Sequence, residues 1–400
     1  MKTPRVRPDT VAILAGICAA IHVGKLPPAL PVLRDAFGMT LVEAGLLLSL
    51  VQFAAMTAGI VVGLAADGFG LRRSMLAGLA ILAVASALGG FAREAWELMI
   101  LRAIEGFGFL ATVLPVPRLL RSMVPPGRLQ RKLGVWGAFM PAGTALALLC
   151  GPWVMAVVSW RGWWWSLAAL TSAMLAWTAA AMPRDVRDDD AATENREWVT
   201  RLRVTLSAPG PWLTALTFGM YACQWMSVIG FLPTIYAQAG ISATAAGVMS
   251  AAVAAVNAVG NIVSGWLLHR GVRPERILVT AFVTMILCAI VRFSGPESTP
   301  IAVRFAAVLM LTGVGGLIPG ALFPLVVDLA PQPRTVSTAV GFMQQLSGAG
   351  QFVGPLLVAW VASHVGGWQF TWTVTGGASL VGMCLAIAIG RVHRRHRHRA

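Results

Sequence analysis

Charge is what this chain has least of. Asp, Glu, Lys and Arg make up 12% of its 400 residues, where soluble domains carry about 25%. That deficit excludes an ordinary soluble globular protein. Long polar segments are scarce too. Only 183–208 interrupts the apolar chain at any length, which leaves no room for a large soluble domain. Cysteine is sparse and unpatterned. Cys18, Cys150, Cys223, Cys288 and Cys384 each stand in an apolar run, with no Cys-x-x-Cys. They read as small buried residues, which excludes a disulfide framework and a zinc site. No Gly-x-x-x-x-Gly-Lys loop occurs, which argues against drive by ATP. No nucleophile–base or metal-ligand spacing appears, so neither an enzyme nor a cofactor is expected.

What the chain has is apolar length. It is 57% hydrophobic, in runs near or above the roughly 20 residues that cross a bilayer. Twelve runs are read, at 10–33, 41–66, 73–92, 96–120, 131–158, 162–182, 211–238, 242–268, 275–294, 300–328, 335–363 and 368–390. No strand-like alternation competes with helix. The first run resembles a signal peptide only superficially, because it is long and eleven more follow.

The net charge of +15 suggests nucleic acid, but its distribution does not. Of the 31 Lys and Arg, 24 fall in the two tails and the loops on one side. With the few residues at each run end counted with the adjoining loop, four fall in the opposite loops and three, Lys25, Arg102 and Arg304, well inside the runs. This asymmetry is the positive-inside rule, and it predicts cytoplasmic termini and an inner (plasma) membrane location. The basic tail His393–Arg399 then serves as an anchor to lipid headgroups. Trp153, Trp160, Trp163, Trp164 and Trp165 cluster at the turn between runs 5 and 6, as in an interfacial aromatic belt.

The chain is written twice. Leu30-Pro31 runs on to Phe37-Gly38-Met39-Thr40, and Leu232-Pro233 to Ala239-Gly240-Ile241-Ser242, at a constant offset of 202. Gly63 and Gly265, and Arg102 and Arg304, keep that offset; Pro117 and Pro324 stand 207 apart. An internal repeat in an apolar chain points to a duplicated transporter with its site between the halves. Six spans return the chain to the same side, so both copies share one orientation. The expected organisation is an N-terminal bundle at 1–182, a cytoplasmic linker at 183–208 and a C-terminal bundle at 209–400 ending in the basic tail.

The loop after run 2 reads Gly63-Leu-Ala-Ala-Asp67-Gly-Phe-Gly70-Leu-Arg72-Arg73. It resembles the Gly-x-Leu-Ala-Asp-Arg-x-Gly-Arg-Arg/Lys pattern of the major facilitator superfamily. Run 4 carries Arg102-Ala-Ile-Glu105-Gly106-Phe-Gly108, similar to the superfamily's Arg-x-x-Gln-Gly-x-Gly with Glu in the Gln position. The resemblance implies twelve transmembrane helices in two pseudo-symmetric six-helix bundles around a central cavity, an all-α membrane protein. Asp67, Arg72 and Arg73 read as a gate latch, with the inner end of span 2 facing the positive N-terminus of span 11. The plain alternative for the two arginines is positive-inside anchoring. Span 5 departs from the superfamily's antiporter pattern, since Gly143 stands eight before Gly151.

Candidate site residues follow from polar groups inside spans. Arg102 and Glu105, three apart on one helix face, are expected to face the interior and pair. Glu105 is the candidate proton carrier; the alternative is a packing ion pair. His22 and Lys25 also share a face, about midway across the membrane. Pro27, Pro28 and Pro31 follow, so span 1 should be broken there, as transporter sites often are. The repeat sets Gln224 and Ser227 of span 7 at the matching positions. The resemblance implies that spans 1 and 7 line the cavity. His22, Lys25, Gln224 and Ser227 are therefore substrate-binding candidates, together with Gln344 and Asn257. The alternative is that Lys25 snorkels and His22 bonds a neighbouring helix. The basic face predicts an anionic or polar solute.

A narrower resemblance joins Gly316-x-x-x-Gly320-Ala-Leu-Phe323-Pro324-Leu and Val340-Gly341-Phe342-Met343-Gln344-Gln345 to the cyanate and 2-nitroimidazole porter branch. The function expected is proton-coupled secondary transport of a small anionic or polar organic solute by alternating access, in a monomer. Two rivals are an efflux antiporter for cationic drugs, which should show acidic cavity residues, and a non-transporting sensor on the same fold.

Overall fold

The computed structural model describes residues 7–59, 70–184, 198–294 and 299–397. Among them every regular element is a helix. Eleven segments are long and apolar enough to cross a bilayer. One, Gly127–Ala181, has 55 residues, about 80 Å of helix against a hydrocarbon core of about 30 Å. It is two crossings, because the backbone breaks at Ser159, where φ is 64°. The described residues therefore form twelve spans. They are Pro8–Phe37, Leu41–Gly59, Leu71–Gly89, Ala95–Met123, the two arms on either side of Ser159, Pro209–Gln238, Ala243–His269, Pro274–Phe293, Ile301–Asp328, Val336–Val365 and Thr371–Arg394.

The repeated landmark is a helix–turn–helix device. Gly38 (φ 62°) and Gly240 (φ 76°) hold the left-handed turn that ends spans 1 and 7, a conformation glycine adopts without strain. Two residues on, Thr40 and Ser242 cap the next helices. Thr40 forms a capping box with Glu43, and the Ser242 hydroxyl accepts from the Ala245 amide. The corresponding spans start 202 apart at Leu41 and Ala243, but 206 apart at Ala95 and Ile301. Arg102 is thus the eighth residue of its helix and Arg304 only the fourth. The two arginines sit one turn apart in depth despite their matching sequence offset.

Two seams join the bundles, and the repeat relates them. At the face opposite the termini, Gly45 of span 2 lies against Pro355 and Ala359 of span 11. Gly247 of span 8 lies against Leu148 and Pro152 of span 5. Those contacts are the same pair under offsets of 202 and 207. In both, a Cβ would meet the partner's backbone oxygen at 3.0 Å or less, so glycine is what permits the approach. The outer surface carries exposed side chains such as Val157, Ile262, Phe91 and Trp153, the apolar belt that lipid covers.

Three of the five clustered tryptophans turn inward. Trp160, Trp163 and Trp164 are buried, while Trp153 and Trp165 remain exposed. The linker contains a helix, Trp198–Ser207. Asp67 and the acidic cluster 188–190 lie outside the described residues.

Candidate functional site

Span 1 is broken where the prolines dictate. Its helix stops at Gly24, turns at Lys25 and resumes at Leu26. Pro27, Pro28 and Pro31 supply no amide hydrogens, so the carbonyls of Val23, Gly24 and Pro27 have no helical donor and the helix breaks there. Side chains from other spans reach the opened backbone. Arg102 Nη1 donates to the His22 carbonyl at 2.7 Å, and Trp163 Nε1 donates to the Lys25 carbonyl at 3.2 Å.

At this break four ionisable groups meet, each no more than 1% exposed: His22, Lys25, Arg102 and Glu105. One carboxylate oxygen of Glu105 accepts from Lys25 Nζ; the other accepts from Arg102 Nη1 at 2.7 Å. Lys25 also donates to Ser86 Oγ at 3.1 Å and lies 4.7 Å from the centroid of the Trp164 ring. His22 Nδ1 is 3.5 Å from Lys25 Nζ, and Nε2 is 2.7 Å from Thr171 Oγ1. Nδ1 also lies 3.7 Å from Glu105 Oε1; as acceptor for the Lys25 ammonium it leaves the Nε2–H to donate to Thr171. The ring is then neutral, and the cluster has two cations against one anion. Arg102 Nε and Nη2 are buried without a hydrogen-bond partner. A buried guanidinium with open donors and an excess positive charge is a strong attractor for an anion.

The expected pairing of Arg102 with Glu105 is present, and Lys25 turns inward onto the same carboxylate. Sequence reasoning did not find Ser86, Thr171, Trp163 and Trp164, which come from spans 3 and 6. Single hydroxyls and indoles on apolar helices carry no periodic signal, and only packing shows which face they occupy.

The structure does not bring Gln224 and Ser227 to this cluster. Gln224 Oε1 accepts from Ser379 of span 12 at 2.6 Å, and its amide nitrogen donates to the Met220 carbonyl. Ser227 donates to the Cys223 carbonyl within its own helix, where Gly354 of span 11 packs on its oxygen. Asn257 ties span 8 to spans 7 and 10, donating to Tyr221 Oη at 2.8 Å and the Thr312 carbonyl at 2.9 Å. Gln344 is half-buried on span 11. Its neighbour Gln345 instead crosses between the bundles, donating to the Met56 carbonyl at 3.0 Å. Of the residues read as a latch, Arg72 donates to the Ala179 carbonyl of span 6 at 2.7 Å, and Arg73 stands beside it at the start of span 3.

The family model described as Major Facilitator Superfamily matches residues 12–348 and 214–400. The chain is 28% identical to the cyanate transport protein CynX of Escherichia coli over 84% of each chain. It is 24% identical to the probable sulfoacetate transporter SauU of Cupriavidus necator, over 95% of this chain and 92% of that one. Its fold is similar to that of a bacterial homologue of the lysosomal transporter Spinster, with a TM-score of 0.76 at 15% identity, covering 97% of this chain and 96% of that one.

Proposed function

The chain belongs to the major facilitator superfamily, and from that premise we propose that it moves a small organic anion together with a proton by alternating access. The observation that carries the reading is the buried cluster at the break of span 1, with two cations on one carboxylate and two guanidinium nitrogens left open. The names of the two relatives matched along most of their length point the same way, since cyanate and sulfoacetate are both anions.

The coupling follows from charge balance. With Glu105 ionised the cluster carries one net positive charge. An anion that takes Lys25 and Arg102 displaces the Glu105 carboxylate. Stranding that carboxylate in the low-dielectric interior costs on the order of several kcal/mol. A proton on Glu105 removes the cost. Proton and monoanion then enter together and leave the net charge of the cluster unchanged. His22 holds the Lys25 ammonium in place through Nδ1, anchored by Thr171. The solute reaches the cluster from one side at a time as the bundles rock about their seams.

The partners are a small anionic solute, protons and membrane lipid, with the monomer as the working unit. Both termini are assigned to the cytoplasm from the distribution of Lys and Arg, and Asp67, Arg72 and Arg73 to the gate. An efflux antiporter for cationic drugs is disfavoured, because the buried cluster has an excess of positive charge. A sensor is disfavoured because 183–208 carries no recognisable output module.

The test is uptake into proteoliposomes of cyanate, sulfoacetate and other small anions, with and without an inward pH gradient. Gradient-driven accumulation of at least one anion is expected. Glu105→Gln should abolish accumulation and spare anion exchange. Accumulation that persists in Glu105→Gln rules the residue out as proton carrier. Unchanged anion affinity in Lys25→Ala and His22→Ala rules out the cluster as the site.

A further inference from the structure

We propose that Gln52 and Gln351 are positioning residues that read the state of the charge cluster through a turn of 3₁₀-helix in span 2 and convert it into contact between the bundles. The proposal rests on the cluster being the anion site and adds the route by which its occupancy reaches the seam.

Span 2 changes helix type in mid-membrane. It is α-helical over Leu41–Ser49, tightens to a 3₁₀ turn at Leu50–Gln52 and is α-helical again from 53 to 59. No Pro or Gly occurs between Leu46 and Thr57, so the local sequence does not impose the turn. Packing does. Gly106, the residue after Glu105, lies against the turn so closely that a Cβ there would stand 2.5 Å from the Val51 carbonyl oxygen. The backbone carrying the coupling carboxylate is thus seated on the turn.

The other side of the turn faces the opposite bundle. Gln52, 1% exposed, donates from Nε2 to Gln351 Oε1 of span 11 at 3.0 Å. Gln351 passes the contact on to Ser347 at 3.3 Å. One turn further along, Gly348 packs on Ala55, and Gln345 donates to the Met56 carbonyl at 3.0 Å. Among the described residues, the contacts of this seam beyond Gln52 therefore hang on the segment that follows the turn.

A mid-helix 3₁₀ stretch often marks a hinge or a segment under strain, and Gly106 packs against this one. A 3₁₀-helix advances 120° and about 2.0 Å per residue, an α-helix 100° and 1.5 Å. Relaxing three residues to α rotates the remainder of the span by about 60° and shortens it by about 1.5 Å. Either change breaks a 3.0 Å hydrogen bond at the far side of the turn. A shift of span 4 as Glu105 exchanges Lys25 for a proton relieves the Gly106 contact and lets the turn relax. The second seam has no such device. Its matching positions are Ala254 and Thr144, and span 8 is continuous helix through Ala254.

Two measurements on the full-length protein test this. The first is cyanate exchange in proteoliposomes. Gln52→Leu and Gln351→Leu should each lower kcat about tenfold with KM within about twofold. The double variant should be no slower than either single one, because both act through one bond. Gln351→Glu keeps an acceptor for Gln52 Nε2 and should recover to within about threefold of wild type. Additive losses, a matching rise in KM, or no recovery in Gln351→Glu overturn the proposal.

The second is hydrogen–deuterium exchange over 41–59, comparing wild type with Glu105→Gln, which mimics the protonated cluster without ligand. Exchange across 50–56 should change severalfold in Glu105→Gln. Adding cyanate to wild type should move it the same way. A Glu105→Gln effect without any anion binding leaves the relay standing and removes the anion reading. Anion binding with no change over 50–56 in either comparison removes the relay.

Discussion

The two bundles are copies of one helical frame, and they treat buried polarity in opposite ways. At the break of span 1 the N-terminal bundle encloses a lysine, an arginine, a glutamate and a histidine. The C-terminal bundle at comparable depth encloses neutral groups: Asn257 on Tyr221 and Thr312, and Gln224 on Ser379. Counting from the helix starts, the positions of Arg102 and Glu105 are occupied by Val308 and Leu311, both buried. Duplication preserved the caps, the seam glycines and the turns, which set the fold. It did not preserve the ions, and the second copy packs apolar side chains at the positions of Arg102 and Glu105. On the proposed reading the charged cluster is function grafted on one half, and the comparison can be broken from either side.

The largest effect should come from removing one member of the cluster. Lys25→Ala leaves the Glu105 carboxylate with Arg102 alone and a cavity beside Trp164. Breaking a buried pair costs about 3–5 kcal/mol, so a large fall in thermal stability and complete loss of anion uptake are expected. The compensating experiment makes the N-terminal half like its copy. Arg102→Val, Glu105→Leu and Lys25→Ser together remove all three charges. Stability should return to within about 1–2 kcal/mol of wild type, since apolar replacement of a whole buried ion group is often neutral or better. Transport should stay absent. A triple variant as unstable as Lys25→Ala shows that the ions hold the bundle together; a triple variant that still transports an anion shows that the site lies elsewhere.

A second prediction tests what the halves share. Gly45→Val and Gly247→Val occupy equivalent places in the two seams, each facing a backbone oxygen and an apolar neighbour. Overpacking of this kind costs about 1–3 kcal/mol. The cost falls on the form in which these ends are closed, so both variants should slow exchange by roughly the same factor. A difference greater than about tenfold between them, measured in the same vesicles, shows that the seams are not mechanically equivalent.

The sequence reading reached the fold through features that are local. Gly38 with Thr40, and Gly240 with Ser242, announce a helix end and a helix start on their own. Apolar run length announces the crossings. The pairing of Arg102 with Glu105 was legible because residues three apart on a helix must share a face. The break of span 1 was readable from the three prolines after Lys25, while the choice between an inward and a snorkelling lysine was left to packing. Beyond that the reading weakened wherever long-range packing decides. Gln344 and Gln345 differ by 100° around span 11; Gln345 is the one that crosses to Met56, and no periodicity distinguishes them without knowing where span 2 lies. A constant offset paired Gln224 with His22, but each side chain follows its own neighbours, and Gln224 finds Ser379. Arg304 matched Arg102 in offset but not in depth, because insertions shift the copies by four residues between the second and fourth spans of each half.

The smallest effect should come from the neutral network, and it decides whether the C-terminal half touches the solute. Asn257→Ala removes donors to Tyr221 and the Thr312 carbonyl. Hydrogen bonds between membrane helices contribute about 0.6 kcal/mol on average and rarely above about 1.7. Thermal stability should therefore fall slightly. If Asn257 only joins helices, the KM for the transported anion should stay within about twofold, and Gln224→Ala should behave alike. A tenfold rise in KM at unchanged stability would put Asn257 in contact with the solute. The binding groups would then come from both bundles, and the contrast between a charged half and a neutral half would become a contrast between the two ends of one ligand.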